Sequence, residues 1–155
     1  MRDLVAKMKL LPNEAFTRGA RIVFLDDSIV RGTQLKDNVV KFRECGVKEV
    51  HIRIACPPLI YPCCFLNFST SRSTFDLFAR RVIRDLEGTS ELTEEVLKPY
   101  SDPDSDKYKE MVKVMCQHLQ LDSLQFQRLD DLVQAIGLPK EQLCTHCWDN
   151  SSYME

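Results

Sequence analysis

The chain has 155 residues, enough for one domain, and 44% of them are hydrophobic, enough for an ordinary core. A formal net charge of −2, with both signs spread along the chain, offers no basic surface for nucleic acid and no polybasic patch for a membrane. There is no leader-like segment and no apolar run of membrane-spanning length, and seven scattered cysteines, an odd number, argue against a disulfide framework and for a reducing, cytoplasmic setting.

Residues 1–18 mix apolar and basic character, and Leu11-Pro12-Asn13 breaks any regular element. Residues 22–25 then form an apolar run suited to a buried parallel strand, read as running from about Arg21 to Leu25, with Gly19 before it and Gly32 after it. Two carboxylates, Asp26 and Asp27, stand where that strand ends. A short loop carries Ser28, Gly32 and Thr33, with Thr33 placed to cap the helix that follows, in which Leu35, Val39 and Phe42 share one face. Gly46 ends that helix. Apolar and polar residues alternate over 47–54, a second strand, which Pro57-Pro58 stops because proline brings no ladder donor. Strand, helix and strand together have the size of a right-handed βαβ unit with a parallel pair.

From residue 59 the pattern turns mainly helical. Residues 59–73 read as a loop with an apolar patch at Phe65-Leu66. A helix follows with Phe75, Ala79, Val82 and Leu86 on one stripe and Gly88 at its end. Residues 99–106 read as an acidic, proline-interrupted loop. A second helix carries Tyr108, Met111, Met115 and Leu119, and a third, around Leu129, Leu132, Val133 and Ile136, closes at Gly137. The expected architecture is α/β: residues 1–58 supply a parallel βαβ core, and residues 59–155 a mainly helical extension.

Ligands of open α/β sheets bind at the carboxyl ends of the strands, and a loop of N–H groups leading into a helix is a ready phosphate cradle. Asp26-Asp27 alone would read as an ordinary helix-cap region. Between a strand and a helix, the same carboxylates suit sugar hydroxyls or a divalent cation, so the dozen residues 22–33 ask for a phosphorylated sugar. Cys144-Thr145-His146-Cys147 is open to zinc, an iron–sulfur cluster, a redox pair or coincidence. Its place near the end of the chain speaks against a thioredoxin-like pair. Cys45, Cys116, His51 and His118 fit packing or surface roles.

Asp26-Asp27-Ser28-Ile29-Val30-Arg31-Gly32-Thr33 closely resembles the phosphoribosyl pyrophosphate signature of the type I phosphoribosyltransferases, in the form found in the glutamine phosphoribosylpyrophosphate amidotransferase family. Met8-Lys9-Leu10, residues 55–61 and Cys144-Thr145-His146-Cys147 agree with that family. The resemblance implies a partial type I phosphoribosyltransferase fold and a parent that makes phosphoribosylamine from glutamine and phosphoribosyl pyrophosphate in purine synthesis. It implies that Asp26 and Asp27 engage the ribose hydroxyls and Mg²⁺, and that residues 28–33 wrap the 5′-phosphate, with Arg31 adding charge or standing in solvent. It also implies Cys63, Cys144 and Cys147 as ligands of a [4Fe–4S] cluster whose fourth ligand lies upstream, with Cys56 or Cys64 as substitutes. Ammonia would come from a glutaminase domain not in this chain, purine nucleotides would inhibit, and the full enzyme would be a homo-oligomer. The expectation is then a C-terminal part of such an enzyme, inactive and prone to self-association alone. The rival expectation is a non-catalytic phosphoribosyl or nucleotide sensor, which a nucleic-acid-binding segment would favour.

Overall fold

The computed structural model describes residues 13–63, 65 and 73–151. The Met8-Lys9-Leu10 match, the break at residues 11 and 12, Leu66 and Cys64 lie outside the described residues. A short helix, Glu14–Thr17 (α1), leads into the strand Arg21–Asp26 (β1). The helix Thr33–Glu44 (α2) carries the chain to the strand Glu49–Ile54 (β2), which pairs parallel with β1 from Arg21↔Glu49 to Asp26↔Ile54.

Two boundaries move for physical reasons. The helix starts at Thr33 itself, with Gly32 left-handed at the cap position and no side-chain capping bond, so Thr33 does not cap it. At the other end Gly46 (φ +78°) turns the chain, Gly46 N–H donates to Arg43 O, and Val47 N–H reaches back to Phe42 O. That double closure is a Schellman motif, and because it occupies Val47, the second strand begins at Glu49 rather than 47.

After β2 come a 3₁₀ turn at Thr74–Asp76 and three helices, Phe78–Glu87 (α3), Glu94–Ser101 (α4) and Asp106–His118 (α5). Phe75 belongs to the turn and Leu86 is partly exposed, so the buried stripe of α3 is Phe78, Ala79, Val82 and Ile83. Residues 99–101, expected in a loop, finish α4. Its first turn carries Glu94 and Glu95, which suit a helix N-terminus, while Leu97 and Tyr100 are buried. Glu87 Oε1 accepts from both Tyr100 Oη (2.7 Å) and Lys107 Nζ (2.6 Å), tying the three helices together.

The strand Ser123–Phe126 (β3) has no counterpart in the sequence pattern. Four residues with two apolar positions are too short to show a period, yet β3 pairs parallel with β2 from His51↔Ser123 to Ile54↔Phe126. The helix Leu129–Ile136 (α6) and the short helix His146–Asp149 (α7) follow. The strand order is β1-β2-β3. Each crossover steps the same way along the sheet, and right-handed parallel crossovers that do so lay their helices on one face.

The core accordingly lies on one side. Val50, Ile52, Ile54 and Leu124 pack there with Leu35, Val39 and Phe42 of α2 and with Val82, Ile83, Met111 and Met115 of α3 and α5. On the other face Val23 is 63% and Leu25 75% exposed, so β1 is not the strand buried on both faces that its apolar run predicts.

Candidate functional site

The site grows from the carboxyl end of β1. Asp26 closes the strand, and its carbonyl accepts from Ala55 N–H just beyond β2 (3.0 Å). Asp26 Oδ1 accepts Asp27 N–H (3.0 Å), and Asp27 Oδ1 accepts Ser28 Oγ–H (3.2 Å). Ile29 is buried in the core, anchoring the middle of the loop. From residue 28 to residue 35 no N–H meets a hydrogen-bond acceptor among the described residues; the first helical bond is Lys36 N–H to Gly32 O (3.0 Å). The first N–H groups of a helix have no intrahelical partner, and a row of donors leading into a helix start can hold an anion. Thr33, the first residue of α2, follows Gly32 directly.

Electrostatics separate the two carboxylates. Burial, opposed by the Asp27 N–H bond and reinforced by the Asp27 charge, holds the Asp26 carboxyl above its usual range. Asp27 is exposed. The Cys56 thiol, at the end of the neighbouring strand, is pushed up to about 11 by burial and then by the charges of Asp27 and Asp26. It stays a thiol at neutral pH and lines the site as a small apolar group.

The flank of the loop opens into a cavity of about 430 Å³ lined by Arg31, Gly32, Thr33, Lys36, Arg81 and His118, with Phe78 as a wall. Arg31 is 3.7 Å from the Asp76 carboxylate, a loose pair. Lys36 meets no carboxylate among the described residues, leaving the cavity positive. Phe78 N–H donates to Val30 O (2.7 Å), and a Cβ on Gly32 (φ +75°) would meet the Phe78 ring at 3.1 Å. Sequence reasoning missed Lys36, Phe78 and Arg81. Lys36 had a readable signal, a cation one helical turn past Thr33. The other two join the loop across some fifty residues, and no local pattern announces them.

The cysteines present a different picture. Ile60 and Tyr61 N–H groups donate to Cys147 O (2.9 and 3.0 Å), which brings the segment leading to Cys63 against the Cys-x-x-Cys. Cys63 is buried, Cys147 half-buried and Cys144 exposed. Among the described residues no group of three or more His, Cys, Asp or Glu side chains is gathered closely enough to hold a metal ion. Thr145, between Cys144 and Cys147, is buried by a knot in which its hydroxyl donates to Asp149 Oδ1 (2.7 Å).

A three-stranded parallel sheet whose first strand ends in two carboxylates and a loop leading into a helix defines an α/β protein with the phosphoribosyltransferase fold. No family model matches the chain. Among curated relatives, the amidophosphoribosyltransferase of Pyrococcus horikoshii is 50% identical over 62 residues, 40% of this chain and 14% of its own. That of Methanothermobacter thermautotrophicus is 30% identical over 148 residues, 96% of this chain and 25% of its own. That of Mycobacterium bovis is 30% identical over 156 aligned positions, 100% of this chain and 25% of its own. A solved structure described as the allosteric regulatory enzyme of purine biosynthesis superposes with TM-score 0.62 at 25% identity, covering 97% of this chain and 28% of the other. The glutamine phosphoribosylpyrophosphate amidotransferase of B. subtilis, complexed with ADP and GMP, shares the fold at TM-score 0.62. The chain belongs to the amidophosphoribosyltransferase family and spans about a quarter of the length of the curated relatives that it matches end to end.

Proposed function

We propose that this chain binds the 5-phosphoribosyl moiety of phosphoribosyl pyrophosphate and serves the amidophosphoribosyltransferase reaction, in which ammonia displaces pyrophosphate at C1 of the ribose. The observation that carries this reading is the row of N–H groups at residues 28–35 that meet no acceptor among the described residues, set between the Asp26-Asp27 pair and the first turn of α2. In it, residues 28–33 hold the 5′-phosphate through backbone N–H groups, with Ser28 and Thr33 adding hydroxyls. The side chains of Ile29 and Val30 seat the loop, and Arg31 with Lys36 adds positive charge at its flank.

Asp26 and Asp27 accept the ribose hydroxyls. They also suit Mg²⁺, which takes oxygen ligands and is held by one or two carboxylates together with substrate phosphates; when bound, that ion would neutralise the departing pyrophosphate. Two carboxylates beside the ribose favour the positive charge that develops at C1 as the leaving group departs. Neither is assigned as a general base.

Ammonia is supplied by a glutaminase partner, purine nucleotides act as inhibitors, and the full enzyme is a cytoplasmic homo-oligomer, as the family implies. The B. subtilis enzyme, solved with ADP and GMP, supports the nucleotide part of this reading. Among the described residues no helix is long and apolar enough to cross a membrane. Cys63, Cys144 and Cys147 remain the proposed cluster ligands. Iron content and visible absorbance of anaerobically purified protein test them, and protein free of iron would remove the assignment.

Calorimetric titration of phosphoribosyl pyrophosphate with Mg²⁺ tests the main reading. The native chain should bind, and Asp27→Ala should bind at least about tenfold more weakly, the scale of a lost charged hydrogen bond. No heat from the native chain, or equal affinity in the two, overturns it.

A further inference from the structure

We propose that Arg81 is the positioning residue of the phosphate loop, fixing the direction in which the loop's N–H groups point; this rests on the reading of residues 28–33 as the phosphate cradle. Among the described residues the Arg81 guanidinium donates to backbone carbonyls of two separate segments. Nη1 donates to Phe75 O and Asp76 O, both at 3.0 Å, and Nη2 donates to Arg31 O at 2.6 Å. It lies 5.4 Å above the Phe78 ring, half-buried at the first full turn of α3. One residue earlier in the loop, Val30 O accepts Phe78 N–H at 2.7 Å. Two consecutive loop carbonyls, those of Val30 and Arg31, are thus both held by the start of α3.

A trans peptide is planar, and its C=O and the next residue's N–H point in opposite directions. Holding Val30 O therefore aims the Arg31 N–H, and holding Arg31 O aims the Gly32 N–H, away from α3 and into the cradle. The second aim needs the clamp most. Gly32 is left-handed (φ +75°) and, without a Cβ, tolerates either sign of φ, so the Arg31–Gly32 peptide plane can turn over at little steric cost. Once turned, it would present a carbonyl oxygen to an anion in place of a donor. Arg81 blocks that flip with a hydrogen bond made by a charged donor, among the stronger protein hydrogen bonds. Its planar fork bridges segments 75–76 and 31 at once; a lysine ammonium carries the charge without the fork.

The test uses the full chain, ¹⁵N-labelled, as native protein, Arg81→Lys and Arg81→Met, first without ligand and then titrated with ribose 5-phosphate. Without ligand, the amide cross-peaks of Arg31 and Gly32 should shift and broaden in both variants, while those of Leu124 and its β3 neighbours stay in place. Ribose 5-phosphate should bind both variants about tenfold more weakly than the native chain, as expected for loss of a charged hydrogen bond. Unmoved Arg31 and Gly32 cross-peaks in both variants, or native affinity in Arg81→Lys, would overturn the positioning role. A native chain that ignores ribose 5-phosphate would sink the phosphate reading, and the ligand-free spectra would still decide whether Arg81 holds the loop.

Discussion

The two faces of the three-stranded sheet meet opposite fates. On one, Ile22, Phe24, Val50, Ile52, Ile54 and Leu124 lie under α2, α3 and α5, and Ile52 is completely buried. On the other, Val23 and Leu25 stand open beside His51, Arg53, Ser123 and Gln125. Parallel sheets are ordinarily covered on both faces. Here strand order and crossover hand together place every described crossover helix on one side. On β2 and β3 the open face is also the polar one, so topology and hydrophobicity agree; on β1 they part, since Phe24 packs against the core while Val23 and Leu25 on either side of it stand exposed.

The largest test of that contrast compares one residue from each face. Ile52→Ala removes a side chain with no exposed surface from the central strand and should cost about 2–5 kcal/mol. Gln125→Ala on the open face should stay within about 0.5 kcal/mol, as surface substitutions do. Urea unfolding with a common slope measures both. Comparable losses would mean that the open face is packed in solution.

The next effect lies at the sheet's end. Gly32→Ala imposes a left-handed conformation that costs roughly 1–2 kcal/mol and places a methyl 3.1 Å from the Phe78 ring, so the loop has to move. Stability should fall by about that amount, with a larger proportional loss of ribose 5-phosphate binding. A stability loss with binding intact would separate the loop's shape from its function.

Asp26 offers a pH-dependent test with the opposite sign. Burial keeps its carboxyl above the ordinary range, so the folded state binds that proton more tightly than the unfolded chain does. The charged form therefore weakens the fold, and the penalty grows as pH climbs from the unfolded carboxylate value through the raised folded one. Asp26→Asn should stabilise the protein at neutral pH while weakening ligand binding, and the gain should vanish in acid. A stability difference that does not change with pH would show that Asp26 carries no burial penalty.

The sequence reveals the site better than the surroundings that shape it. The βαβ unit is readable because Gly46, the alternation in β2 and the spacing of Leu35, Val39 and Phe42 are all local signals. The cradle is readable for the same reason: Asp26 to Thr33 are contiguous. β3 is not, since its four residues gain their meaning only from pairing with β2. The hold of Phe78 and Arg81 on Val30 and Arg31 is equally silent, because an arginine reaching a carbonyl fifty residues away looks in sequence like any helix-surface cation. The exposure of Val23 and Leu25 misleads outright: an apolar run announces a strand but not which of its faces will be covered.

The smallest expected effect is therefore the most discriminating. Leu25→Thr replaces a side chain that is 75% exposed by a β-branched one suited to a strand, so hydrophobic transfer should contribute little. Unfolding free energy should change by no more than about 0.5 kcal/mol. Self-association should change more, because Val23 and Leu25 form an exposed apolar strip on β1, whose outer edge pairs with no other strand among the described residues. Sedimentation velocity across a concentration series should show the native chain associating and Leu25→Thr associating less. If Leu25→Thr instead costs several kcal/mol with no change in association, the strip is buried within the chain itself. The one-sided packing that the strand order dictates would then have to be abandoned.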